Sequence, residues 1–274
     1  MKKSIILAAS AALLFPAVMT SCKGKAAQEE NVAPETATLA VSTECYGDQT
    51  TELEFPVDEE GYIVIFDGSN LNGWRGYGKD HVPERWSIQD SCMHFVRGEG
   101  EGGDIMFAHK FDNFDVQFEW KVSEGANSGF FYLGEEAQSP EGNLQYLCMS
   151  APEYQILDNV NHPDAKLGVD GNRQSASLYD MIPANPQNSK PWGEWNTARV
   201  TVKDGKVTHY QNGEVVLEYE LWTPEWTERL QNCKFSEEAW PAAFALLNNK
   251  HAGYMAFQDH GDEVWYRNVR VKEL

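Results

Sequence analysis

From residue 61 onward, hydrophobic and polar positions alternate in short runs separated by Gly, Asn and Asp, the period of strands half-buried against a core. The runs "GYIVIFDG", "RWSIQDSCMHFVRG", "FDVQFEWKV", "SGFFYLG", "EYQILD", "ASLYDMI", "TARVTVKDGKVTHYQNGEVVLEYEL", "GYMAFQD" and "EVWYRNVRVKEL" each predict one or more strands. In "KDGKV", Asp204-Gly205 suits a two-residue hairpin turn with positive φ at both positions. That turn pairs Val202 with Val207 and Val200 with His209. It sets the valines on a core face and Thr197, Arg199, Thr201, Thr208 and Tyr210 on the opposite one. His209 then falls on the core side, where a histidine is normally held by hydrogen bonds rather than used for catalysis. "TPEWTERLQ" predicts a helix, with Thr223 as N-cap and Pro224 at the first helical position. No internal repeat supports a propeller or a solenoid. The pattern predicts an all-β protein of two antiparallel sheets.

The first residues read differently. Lys2 and Lys3 precede the apolar run "IILAASAALLFPAVM", too short for a membrane span, and Ser21 stands directly before Cys22. Residues 1–21 are expected to be a lipoprotein signal peptide and Cys22 the lipidated residue. Residues 22–55, rich in Ala, Glu and Thr at their start, are expected to be a flexible tether, and residues 56–274 the folded domain. The protein is then exported and lipid-anchored, on the periplasmic side of the outer membrane or at the cell surface.

Charge narrows the ligands. The chain has 22 basic and 42 acidic residues, and loss of Lys2 and Lys3 with the signal takes its net charge from −20 to −22. That argues against nucleic acid, and no basic stripe with interleaved aromatics appears. Four cysteines besides Cys22 (Cys45, Cys92, Cys148 and Cys233) are compatible with disulfides in an exported protein or with buried thiols. Nine Trp and eleven Tyr are many, and several lie in polar loops such as "KPWGEW", which contains Trp192. Aromatic rings beside carboxylates and amides suit a sugar, so carbohydrate is the substrate class composition favours.

The strand "EYQILD" is the main candidate for chemistry. Glu153, Gln155 and Leu157 alternate to one face, with Asp158 following. It resembles the Glu-x-Asp-x-x-Glu strand of laminarinase-type glycosidases, but an amide stands at its centre, which argues against ordinary retaining hydrolysis. Two loops cluster ionisable groups. "LDNVNHPDAK" brings Asp158, His162 and Asp164 together, and "FQDHGDE" places Asp259 and His260 in a turn. A loop histidine beside a carboxylate suits a general base; the same groups suit a surface turn or a hard-cation site. No cofactor is expected, and no motif supports a divalent metal.

Taken in order, "GANSGFFY", "EYQILDN", "SLYDMIPA", "GEWNTARVTV", "HYQNGEVVLEYE" and "FQDHGDEVWYRNVRVKEL" resemble the 3-keto-disaccharide hydrolase domain family from about Gly61 to Leu274. The resemblance implies a concanavalin A-like lectin/glucanase jelly roll, a Bacteroidetes lipoprotein and action on glycosides oxidised at C3. A C3 ketone acidifies the C2 proton, so a base can form the enolate that expels the C1 substituent, with hydration giving net hydrolysis. The motif positions place Glu153, Gln155, Asp158, Tyr179, Arg199, Asp259, His260 and Arg267 in the pocket. His260 or Glu153 is expected to be the base, Tyr179 a proton donor and Arg199 an enolate or hydroxyl ligand. Such a reaction needs an upstream glycoside 3-dehydrogenase and a downstream hydratase or reductase. An ordinary glycoside hydrolase and a non-catalytic carbohydrate-binding lipoprotein are the competing readings. Turnover of the keto form alone, turnover of the plain glucoside, or binding without turnover separates the three.

Overall fold

The structure, a computed structural model, describes residues 35–46 and 49–274. The expected signal peptide and Cys22 lie outside the described residues. Fifteen strands are present among those described: β1 Thr36–Ser42, β2 Thr50–Pro56, β3 Ile63–Phe66, β4 Trp74–Gly76, β5 Trp86–Gln89, β6 Cys92–Phe95, β7 Ile105–Phe111 and β8 Phe114–Val122 come first. After them follow β9 Asn127–Gly134, β10 Glu153–Leu157, β11 Asn196–Lys203, β12 Lys206–Gln211, β13 Glu214–Glu220, β14 Gly253–Phe257 and β15 Val264–Glu273. A five-stranded sheet runs β10-β9-β14-β7-β4. A larger sheet runs β13-β12-β11-β8-β15-β6-β5, with β3 also pairing β15. Every pairing is antiparallel, as a jelly-roll sandwich requires.

Aromatic side chains hold the two sheets together. Phe118 of β8 reaches across to Phe130 of β9 at 4.7 Å between ring centroids, to Phe257 of β14 at 5.3 Å and to Tyr154 of β10 at 6.3 Å. Burying rings of this size, with edge-to-face geometry among them, supplies much of the core energy. The β11–β12 hairpin has the expected register, with Val202 opposite Val207 and Val200 opposite His209. Asp204 and Gly205 both adopt positive φ, at 51° and 84°. His209 is fully buried. Its Nδ1–H donates to the Ala176 carbonyl at 2.9 Å, and its Nε2 accepts from the Tyr132 hydroxyl at 2.8 Å. Burial holds it neutral, lowering its pKa to about 4.

Two expectations about local structure are corrected. The segment assigned to a tether, residues 22–55, ends in the β1–β2 hairpin, whose Leu39, Val41 and Phe55 are buried, with Phe55 edge-on to Phe107 at 5.4 Å. The domain therefore includes this hairpin, because its apolar alternation needs a core to cover it. The helix Pro224–Gln231 (α1) is capped by Thr223 as expected. A second helix, α2 Pro241–Leu247, was not anticipated. Cys45, Cys92, Cys148 and Cys233 are all free thiols.

Candidate active site

Strand alternation in β10 sends Tyr154 into the core and Glu153 and Gln155 onto the outer face of the five-stranded sheet. Directly opposite Gln155 in β9 lies Gly129, and its missing side chain makes room for Glu153. A Cβ built on Gly129 would meet Glu153 Oε1 at 2.4 Å. β10 is the end strand of its sheet, and its free edge is covered by residues 176–179. Ala176 N–H donates to the Gln155 carbonyl at 2.8 Å, Gln155 N–H to the Ser177 carbonyl at 3.1 Å, and Tyr179 N–H to the Glu153 carbonyl at 3.0 Å. The covering segment satisfies backbone groups that an exposed edge would leave unpaired, and it sets Tyr179 beside Glu153.

The electrostatics of this face are unusual. Glu153 is only 7% exposed, and its carboxyl makes no hydrogen bond among the described residues. Desolvation lifts its pKa to about 8; Lys234 opposes the rise, while Asp104 and Asp164 add to it. Asp104, just ahead of β7, is likewise lifted by burial to about 7, although it accepts a hydrogen bond from Asp259 N–H at 2.8 Å. Two carboxyls that influence each other across one face, both shifted toward neutral pH, are the signature of acid–base machinery.

Around them runs a fixed polar network. The Tyr179 hydroxyl donates to Asp164 Oδ2 at 2.9 Å, and Arg173 bridges Asp164 at 2.9 Å and Asp180 at 2.6 Å. Burial and then Asp164 raise the Tyr179 pKa, so the phenol stays protonated. Lys234 is anchored by its backbone N–H to Asp180 at 3.1 Å. Its ammonium lies 4.2 Å from the centre of the Tyr179 ring and forms no ion pair among the described residues. Beside this group opens a cavity of about 400 Å³ lined by Asp104, Phe131, Cys148, Gln258 and Asp259 among others. The Gln258 side-chain oxygen is buried there without a partner, an acceptor waiting for a donor. A cavity of about 490 Å³ opens on the outer face of the other sheet, near Gln117, Glu119, Asn268 and Arg270. Arg270 is already paired with Asp58 at 2.6 Å, and hydrogen bonds from Ser69 hold Asp67 below the usual carboxylate range, so size alone does not make it the reactive site.

The residues expected in one pocket divide between four places. Glu153, Gln155 and Tyr179 come together as described. Gln155 is buried, and its Oε1 accepts from the N–H of Ile156 at 2.9 Å. Asp259 sits at the far side of the cavity, accepting from Gly103 N–H at 2.8 Å. Asp158 is a turn cap rather than a substrate ligand. It accepts from the backbone N–H groups of Gly125, Val160 and Asn161 at 2.9, 3.0 and 3.3 Å and from the Asn161 side chain at 2.6 Å. Those bonds hold its pKa low against the opposing effect of burial.

Arg199 and Arg267 are corrected more strongly, since they project from the outer face of the eight-stranded sheet, with the core between them and Glu153. Arg199 grips Asp115 with two bonds, at 2.9 and 2.6 Å, and Arg267 binds Glu119 while lying 4.0 Å from the Trp195 ring centre. Trp192 stands 46% exposed in the loop before β11. His260 is exposed at the 258–262 turn, its ring 6.1 Å from that of His162. His162, His260 and Asp262 are the described residues grouped so as to hold a metal ion. Asp104, Lys234 and Gln258 escaped the sequence reading. Asp104 and Lys234 lie in no motif, Gln258 lies in "FQDHGDE" without having been singled out, and only the fold brings the three to one face.

Residues 61–272 match the family described as the 3-keto-alpha-glucoside-1,2-lyase-like domain. A Bacteroides thetaiotaomicron protein named 3-keto-disaccharide hydrolase is 55% identical over 282 aligned positions, covering 96% of this chain and 97% of its own length. Among solved structures, a Parabacteroides distasonis protein provisionally named a glycosyl hydrolase superposes with a TM-score of 0.67 at 30% identity, over 78% of this chain and 94% of its own. A second from the same organism gives 0.59 at 22% identity, over 78% and 99%, a likeness of fold. With a match spanning most of the chain and a relative this similar end to end, the protein belongs to the 3-keto-alpha-glucoside-1,2-lyase-like domain family.

Proposed function

We propose that the chain is an enzyme acting on carbohydrate that cleaves 3-keto-glycosides, with Glu153 as the base that removes the C2 proton. The observation that carries this reading is a buried carboxyl with no hydrogen bond among the described residues, lifted to about 8 by desolvation and acted on by the ammonium of Lys234, which has no ion pair among those residues. A base works best when its pKa lies near the operating pH, and a carbon acid beside a ketone demands a strong one. Glu153 takes the proton from C2, and the electron pair moves to the C3 oxygen, forming an enolate that faces Lys234. Collapse of the enolate restores the C3 ketone, forms the C1–C2 double bond and breaks the bond from C1 to the aglycone oxygen. Tyr179, kept protonated and held by Asp164, supplies the proton to that departing oxygen. The products are a 3-keto-2-hydroxyglucal and the free aglycone, and addition of water to the glucal gives net hydrolysis.

The name of the Bacteroides thetaiotaomicron relative supports a 3-keto-disaccharide as substrate class. Ordinary retaining hydrolysis is disfavoured because it needs an ionised nucleophile beside the acid. The strand instead offers the amide of Gln155 there, and Asp158 is consumed by its turn. Asp104 and Gln258 serve as ligands for sugar hydroxyls along the cavity. Because the substrate must arrive already oxidised at C3, a glycoside 3-dehydrogenase supplies it, and a hydratase or reductase consumes the product. The "MTSC" signal supports export and lipid attachment at Cys22.

With a glucoside and its 3-keto counterpart as substrates, turnover is expected for the keto form alone, and cleavage of the plain glucoside would overturn the reading. Glu153→Gln should lower kcat/KM by about 10³-fold or more, whereas Arg199→Ala should leave it nearly unchanged; the opposite ranking would move the chemistry to the other sheet. Only ionised Glu153 accepts a proton, so kcat/KM should rise about tenfold per pH unit below its pKa of about 8 and level off above it. A profile falling from pH 6 to 9 would make Glu153 the proton donor instead. In cells, Cys22→Ser should move the protein from the membrane to the soluble fraction, and retention at the membrane would refute lipidation at that residue.

A further inference from the structure

The loops at one end of the Glu153 face carry a second group of functional side chains that the proposed elimination does not use. His162 comes from the loop after β10, while His260 and Asp262 come from the turn before β15. One donor atom from each lies within 4.8 Å of the others, close to the ~4.4 Å that opposite ligands of a single ion span at bond lengths of about 2.2 Å, so a small side-chain adjustment closes the set. His162 and Asp262 each make a contact of their own. His162 Nδ1 accepts from the backbone N–H of Asp164 at 3.2 Å, so coordination through Nε2 requires the ring proton to move to Nδ1 and that bond to be given up. Asp262 is clamped on both oxygens, by Asn127 N–H at 3.0 Å and by the Arg97 guanidinium. The His260 ring nitrogens make no hydrogen bond to the protein among the described residues, and the two imidazole rings meet nearly at right angles, at 88°. A cation at this point would draw together two imidazole nitrogens and a carboxylate oxygen.

We propose that His162, His260 and Asp262 bind one borderline divalent cation of the Zn²⁺, Mn²⁺ and Co²⁺ class. Imidazole nitrogen combined with a single carboxylate favours such ions over Ca²⁺ or Mg²⁺, which take mainly oxygen ligands. Asn127, which anchors Asp262, lies two residues along β9 from the Gly129 beneath Glu153, a separation of about 7 Å at the usual strand rise. The cation therefore sits at the rim of the same face. Three protein ligands leave open positions suited to neighbouring oxygens of a sugar ring. That use rests on the function proposed above; the binding does not.

Titration of the purified, metal-stripped protein with Co²⁺, followed by its visible absorption, and with Zn²⁺ and Mn²⁺ by calorimetry tests the proposal without any substrate. One equivalent of at least one of these ions should bind. His260→Ala, an exposed position whose loss leaves the fold intact, should weaken that binding at least tenfold, as should His162→Ala and Asp262→Asn. Glu153→Gln should bind the ion as the unmodified protein does, so that failure of the elimination mechanism and failure of the metal site remain distinguishable. Absence of stoichiometric binding by all three ions, or undiminished binding in a His162→Ala/His260→Ala double variant, would overturn the proposal.

Discussion

Tyr154 and Glu153 are chain neighbours that face opposite ways, and the site depends on that constraint. Tyr154 is locked into the aromatic core against Phe118 and, through its hydroxyl, to the Tyr210 carbonyl at 3.2 Å. The pleat then leaves Glu153 no choice of face. Gly129 on the adjoining strand gives the carboxyl its space, and residues 176–179 seal the strand edge while carrying Tyr179 into position. The core thus aims the group proposed as the base, and the same packing that stabilises the sandwich sets the face it occupies.

Burying Glu153 works against stability at high pH. The folded protein holds its proton more tightly than the unfolded chain does. The favourable contribution is complete below the ordinary carboxylate range and is lost as pH rises toward and through about 8. The loss is on the order of a few kcal/mol, a large share of a domain's stability. Asp104 adds to it in the same direction, whereas the ammonium of Lys234 opposes it. A site that keeps two acids partly dry gains bases of the right strength at the expense of alkaline stability.

Much of this was legible from the chain. Period-2 alternation located β3, β5, β6 and β8 to β15 but missed β1, β2, β4 and β7, and the strand expected over "ASLYDMI" is a turn segment with isolated bridges at Leu178; the Asp204-Gly205 turn fixed a register, and the buried role of His209 followed from it. Alternation tells which residues share a face, but not which sheet a strand will join. Arg199 and Arg267 were therefore placed with Glu153 although they occupy the outside of the other sheet, each neutralised by a neighbouring acid. The β1–β2 hairpin was hidden by the polar segment before it, even though Leu39 and Val41, then Leu53 and Phe55, carry the same alternation. Asp104 and Lys234 had no local signal at all. Their importance comes from burial and from neighbours 49 or more residues distant, which only folding supplies. His162 and His260 were each recognised in their own loops, but their meeting was not.

The central claim is that desolvation keeps Glu153 protonated near neutral pH in the resting protein. Carboxyl-labelled glutamate followed by ¹³C NMR across the pH range, with Glu153→Gln to assign the resonance, measures it directly. One glutamate carboxyl is expected to titrate near pH 8 and to disappear in the variant. A Glu153 resonance titrating in the ordinary range, about 4–5, would contradict it.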